Sequence, residues 1–106
     1  MLRIYRVALD VVRRLQPYVV QIRRRQPSLA DQLDRAGDTT VLGIAEGSRS
    51  LGKIRGQHYS RGAASMDEAI GCIDLALAKG HIGSFEGDLR EAMKQIIGTL
   101  IKCVGR

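Results

Sequence analysis

This 106-residue chain carries seventeen Lys and Arg against eleven Asp and Glu, a formal charge of +6. The chemistry that suits most of these cations is phosphate binding. An arginine presents a planar fork of N–H donors that meets two phosphate oxygens at once. Residues 1–27 hold seven arginines (Arg3, Arg6, Arg13, Arg14, Arg23, Arg24, Arg25) and one acid, Asp10. The rest of the chain balances, so this first quarter carries the whole excess. A second basic run follows. Arg49, Lys53, Arg55 and Arg61 surround His58, with no acid between Ser48 and Met66. A solvated helix face normally mixes its signs, so one-signed charge points to a polyanion. The candidate contacts are Arg6, Arg13, Arg14, Arg24 and Arg25 on the first run, and Arg49, Lys53, Arg55 and Arg61 on the second. Aromatics are only 4% of residues and Trp is absent, so base stacking contributes little. Recognition of RNA or DNA would then read backbone and shape. The rival use of the same surface is an adaptor scaffold that docks an acidic protein partner. Within an oligomer, Asp31, Asp34, Asp38 or Glu86 of a neighbouring subunit would compete for some of these arginines.

Other reactive side chains are present without a reactive spacing. Cys72, Cys103, His58 and His81 are scattered, and no pair has C-x-x-C or H-x-x-x-H spacing. Both thiols lie on or beside an apolar stripe and read as buried, reduced cysteines. His81 sits in a Gly-rich loop and is expected to face solvent. There is no phosphate-binding Gly-rich loop, no G-x-S-x-G and no H-E-x-x-H. We expect no enzyme, no metal and no cofactor. Basic residues run through the first apolar segment, unlike a secretory signal, and no apolar stretch reaches membrane-spanning length. A cytoplasmic protein with no membrane association is expected.

The elements that must position the cations are helices. Ile4, Ala8, Val11, Leu15, Tyr18 and Ile22 are spaced 4-3-4-3-4, one apolar stripe. Six of the seven arginines fall opposite it, with Arg23 at its flank. Pro17 predicts a kink rather than a break, because the stripe continues in phase. Pro27 ends this helix, and Ser28 with Asp31 has the form of a capping box. The second helix carries Leu29, Leu33, Ala36, Thr40 and Ile44. The third begins near Leu51 to Lys53 and carries Tyr59, Gly62, Met66, Ala69, Ile73 and Ala76, widened by Ile70 and Leu77. Gly80 suits the position just past its end and Ser84 an N-cap. The fourth follows Phe85, Leu89, Met93, Ile96, Leu100 and Cys103 or Val104. Four amphipathic helices with short connections predict a single all-α domain over 1–106, an antiparallel up-down four-helix bundle.

The stretch "VLGIAEGSRSLG", Val41 to Gly52, interrupts a helical pattern with glycines. Gly43 and Gly47 are four apart and share one face. Gly43 reads as a site of close packing; Gly47 fits equally a packing site or a helix C-terminus. Glu46 reads as an ion-pair partner of Arg49, three residues on, or as a solvated residue near the helix end; a catalytic carboxylate is disfavoured because no second titratable group adjoins it. This stretch, within "TTVLGIAEGSRS", resembles the small four-helix-bundle proteins encoded in intervening sequences of bacterial large-subunit ribosomal RNA genes. Members typically show S-I-x-x-N-I-A-E-G followed by an Arg. Ile44, Ala45, Glu46, Gly47 and Arg49 match, while Gly43 replaces the usual Asn and Thr39 or Thr40 stands near the usual Ser. Ser65 and Glu68 fit the S-x-x-E of the third helix. The accessory proteins of diversity-generating retroelements are a related group. The resemblance implies a homo-oligomer, a ring of five, with a nucleic-acid role. Apolar positions outside the main stripe (Val7, Leu9, Val12, Val19 and Val20, with Ile97 and Ile101) are the residues expected at subunit contacts.

Overall fold

The computed structural model describes residues 2–105 and consists of four helices: α1 (Leu2–Arg23), α2 (Pro27–Ser48), α3 (Gly52–Ala78) and α4 (Gly87–Val104). Each packs on its neighbours in the chain, and α4 returns to α1. The pairing is antiparallel throughout. Val12 meets Gly37, Thr40 meets Gly62, and Gly62 meets Leu100. The molecule is 42 × 24 × 19 Å, its length set by the 27 residues of α3. The expected up-down four-helix bundle is therefore observed.

The 3.6-residue stripes become the core. Leu15, Ile22, Leu33, Ile44, Met66, Ile73, Leu89, Met93, Ile96 and Leu100 are all buried. On α1 the stripe shifts slightly: Val19, expected outward, is buried, while Tyr18 is half-buried. Pro17 does not break α1. The helix persists through the missing N–H because Leu15, Val19 and Ile22 are buried on either side of it.

The ends correct three expectations. Pro27 occupies the first turn of α2 with Gln26 as the flanking residue, so Ser28 lies inside the helix and caps nothing. At the far end of α3, Gly80 does take the expected place, with φ +74°. His81 N–H bonds the Ala76 carbonyl at 2.9 Å and Gly80 N–H the Leu77 carbonyl at 3.1 Å, which is a Schellman closure. Ser84 is no N-cap and Phe85 is not helical, because α4 starts only at Gly87. A long-range contact decides this. Phe85 stacks on Tyr18 with ring centroids 4.6 Å apart, Arg90 lies 5.5 Å over its ring, and Glu86 N–H donates to the Tyr18 hydroxyl at 3.3 Å.

Gly43 and Gly47 both lie inside α2. A Cβ on Gly43 would sit 3.0 Å from the His58 carbonyl oxygen and 3.4 Å from the Gly62 Cα, so two backbones touch here. A Cβ on Gly47 would overlap the ring of Tyr59, which is buried against it. Both are packing glycines, and Arg49, not Gly47, terminates the helix. Thr40 completes the seam: its buried hydroxyl lies 3.0 Å from the Ala36 carbonyl and 3.1 Å from that of Gly62. Gly71 and Gly98 are helical too, yet an added Cβ meets nothing within 4 Å at either. Gly71→Ala and Gly98→Ala should each stabilise the protein by about 0.8–1 kcal/mol through helix propensity alone. Thermal melts at matched concentration check this, and a lower Tm for either would show hidden packing there.

Candidate nucleic-acid interface

The fold redistributes the charge. On α1, Arg13 pairs with Asp10, and Arg14 bridges to Glu86 at 2.6 Å and Asp88 at 3.0 Å. These bonds, to Glu86 first and then Asp88, raise the Arg14 pKa above its ordinary value. Arg23 pairs with Asp31 at 2.5 Å. Two of the acids expected to serve a neighbouring subunit, Asp31 and Glu86, are thus engaged within the chain. Arg14 is a half-buried tie between α1 and the start of α4 rather than a free phosphate ligand. Of the first basic run, Arg3, Arg6, Arg24 and Arg25 remain exposed with no acidic partner within 4 Å among the described residues.

The second run stands at one end of the bundle. Antiparallel packing brings the α2–α3 turn beside the start of α1 and the finish of α4. Arg3 and Arg55 line a single cleft, and Lys53 and Arg61 line a groove with Val104. Arg49, Lys53 and Arg61 are exposed; Arg55 is half-buried, its Nε donating to the Ser50 carbonyl at 3.0 Å. Residues 2–9, 42–61 and 95–104 make up this end. They add Arg3, Arg6 and Lys102 to the run and contain one carboxylate, Glu46, with Asp10 at their border beside Arg6 and Arg13. The opposite end (18–34 and 67–94) holds eight carboxylates and six cations. The +6 excess that sequence order assigns to residues 1–27 is therefore concentrated, in the folded protein, around the α2–α3 turn.

Glu46 does not pair with Arg49. It faces Arg61 across the α2–α3 seam at 3.6 Å, because Arg49 has left the helix at its terminus. His81 is not the solvent-facing loop residue expected. It is half-buried, with Nε2 3.0 Å from Gln26 Oε1 and Nδ1 buried without a partner. Ser65 is half-buried and Glu68 exposed, where it accepts from Gln32 Nε2 at 2.9 Å, a tie between α2 and α3. Cys72 is buried, and burial pushes its thiol pKa up; Cys103 is half-buried. No group of three His, Cys, Asp or Glu that could hold a metal occurs among the described residues. No helix among them is long and apolar enough to cross a membrane.

Arg3 and Lys102 are the cations at this end that sequence reasoning left out of the candidate contacts. Only the antiparallel topology identifies them, since each is isolated from the second run in sequence. Large apolar side chains share the surface: Leu51 is 80% exposed and Ile54 58%. The chain matches no family model, no curated protein and no solved structure.

Proposed function

We propose that the protein is a small cytoplasmic homo-oligomeric bundle, a binding protein rather than an enzyme, that holds RNA or DNA by phosphate contacts from the α2–α3-turn end. One observation carries the reading: seven cations from three chain segments lie at that end with Glu46 among them and Asp10 at its border. Arg49, Lys53, Arg55 and Arg61 remain the central contacts, joined by Arg3, Arg6 and Lys102. Arg24 and Arg25 form a smaller exposed pair at the other end, and Arg13 and Arg14 are largely neutralised by their carboxylates. Fluorescence anisotropy against single- and double-stranded RNA and DNA tests this. Affinity should fall steeply with salt, and heparin should compete. No binding at low salt would overturn the reading.

Leu51 and Ile54, exposed among the cations, favour a second reading in which this end docks an acidic, partly apolar segment of a protein partner. A salt-independent component of binding would support it.

Self-association is supported by the outward faces of α1 and α2. Leu9 is 45% exposed and Val20 53% on an α1 face that also carries Arg6 and Arg13; Leu42 is 58% exposed on an α2 face with Asp31, Asp38 and Glu46 around one cation, Arg35. A basic-apolar face and an acidic-apolar face on one molecule suit a head-to-tail contact, which closes into a ring or extends as a filament. The resemblance to the intervening-sequence proteins supports a ring of five. Sedimentation equilibrium should show an oligomer at micromolar concentration and its dissociation by Leu42→Lys. A monomeric parent protein would contradict this.

A further inference from the structure

Beside the α2–α3 turn, α1 and α4 part to leave a cleft of about 500 Å³. That is within the range of small-molecule sites. Its cause is the uneven use of glycine. Gly43 and Gly47 draw α2 onto α3, and Gly56 and Gly62 draw α4 onto α3, where added Cβ atoms would lie 3.1 Å from the Val104 carbonyl oxygen and 3.2 Å from a Leu100 methyl. No such pair joins α1 to α4, and that seam is the loosest of the four.

We infer that this cleft holds one nucleoside monophosphate unit, either free or as an unpaired residue of a strand. The inference deepens the nucleic-acid reading above and rests on it. Ile4, Val7 and Leu100 supply apolar wall of the kind a base plane covers. Gln95 and Thr99 place an amide and a hydroxyl in the lining, the donors and acceptors that a base edge or sugar uses, and the Ser48 hydroxyl, which donates to the Ala45 carbonyl at 2.8 Å, adds an acceptor. Arg3 and Arg55 supply two guanidinium groups, and among the described residues no Asp or Glu lines the cleft. The Arg55 Nε bond to Ser50 fixes its stem while engaging one of five N–H donors, so a fork is held in place before any ligand arrives. Tyr59, also in the lining, has its hydroxyl pKa pushed up by burial and stays a neutral donor at ordinary pH.

Two other anions fit less well. A fatty-acid tail would leave the Gln95 amide and the Thr99 hydroxyl of the lining without partners, which costs binding energy. Inorganic phosphate would use the guanidinium groups and leave the apolar wall idle.

The test is calorimetric titration of the full chain with AMP, CMP, GMP and UMP, beside inorganic phosphate and dodecanoate. Single-stranded and duplex oligonucleotides are measured in parallel. Nucleotides should bind at least about tenfold more tightly than phosphate, and Arg55→Gln should weaken them by about tenfold, the usual worth of a charged hydrogen bond. Arg3→Gln lies on an exposed side chain and serves as the second variant, with unchanged helical circular dichroism confirming the fold. Single strands should bind more tightly than duplex. Equal binding of phosphate or dodecanoate, or nucleotide binding indifferent to both substitutions, would overturn the proposal. Nucleotides failing while oligonucleotides still bind would remove the cleft and leave the phosphate surface standing. Failure of every nucleic acid would remove both.

Discussion

Gly43→Leu should destabilise the bundle by about 3 kcal/mol or more, the upper part of the range for overpacking a tight core. For a chain of this size that is a fall in Tm of roughly 12–24 °C. The position has no slack: the first added atom already lies 3.0 Å from a backbone oxygen of α3, and backbone cannot rotate aside as a side chain does. The helices must separate, which opens the core around Ile44, Tyr59 and Met66. Gly47→Ala should act through Tyr59, whose ring must leave its buried position to admit one methyl. Gly80→Leu is a useful contrast. Nothing lies within 4 Å of an added Cβ there, but φ is +74°, so the cost is backbone strain of about 1–2 kcal/mol. The expected order of loss is Gly43→Leu, then Gly80→Leu, with Gly71→Ala a gain. Melts by circular dichroism measure it, and a Tm unchanged by Gly43→Leu would show that α2 and α3 do not meet as described.

Replacing Arg49, Lys53, Arg61 and Lys102 together by Gln should weaken nucleic-acid binding far more than the same change at Arg13, Arg14, Arg24 and Arg25. The first set removes four exposed cations from a surface with one carboxylate. Each lost phosphate contact should flatten the plot of log affinity against log salt by about 0.7–0.9. In the second set, Arg13 and Arg14 already face Asp10, Glu86 and Asp88, so only Arg24 and Arg25 have unneutralised charge to lose. That variant instead loses the ties from Arg14 to the start of α4. Exposed ion pairs contribute little, so its melting temperature should fall slightly and the fold should persist. Equal loss of salt slope in the two variants would return the binding surface to the first helix.

The difference between those two expectations shows what the sequence can and cannot carry. The core stripes are legible because a 3.6-residue period is a local property, and Ile4, Leu33, Ile73 and Leu89 are buried as their spacing requires. Gly43 is legible as a packing site because glycine within an otherwise continuous helical pattern has few other uses. Gly47 is not, since its reason is the ring of Tyr59, twelve residues on. The start of α4 fails for the same cause: Phe85 continues the stripe in register, but Tyr18 on α1 holds it outside the helix. Charge is the least legible. A count along the chain places the excess at residues 1–27, while Arg14 finds its acids more than seventy residues away. Glu46 likewise prefers Arg61 on the facing helix to Arg49 three positions along. The convergence of Arg3 and Arg55 on one cleft follows from antiparallel topology and has no local signal.

Lysine footprinting locates the bound strand on the surface, because the four lysines are spread along the length of the bundle. Lys53 and Lys102 lie at the α2–α3-turn end, Lys79 just past α3 at the other and Lys94 midway along α4, and all four are exposed. The native protein is treated with an amine-acylating reagent, with and without saturating single-stranded RNA, and modification at each lysine is read by mass spectrometry. RNA should protect Lys53 and Lys102 and leave Lys79 and Lys94 as reactive as before. Protection of Lys79 and Lys94 alone, or of all four equally, would contradict this.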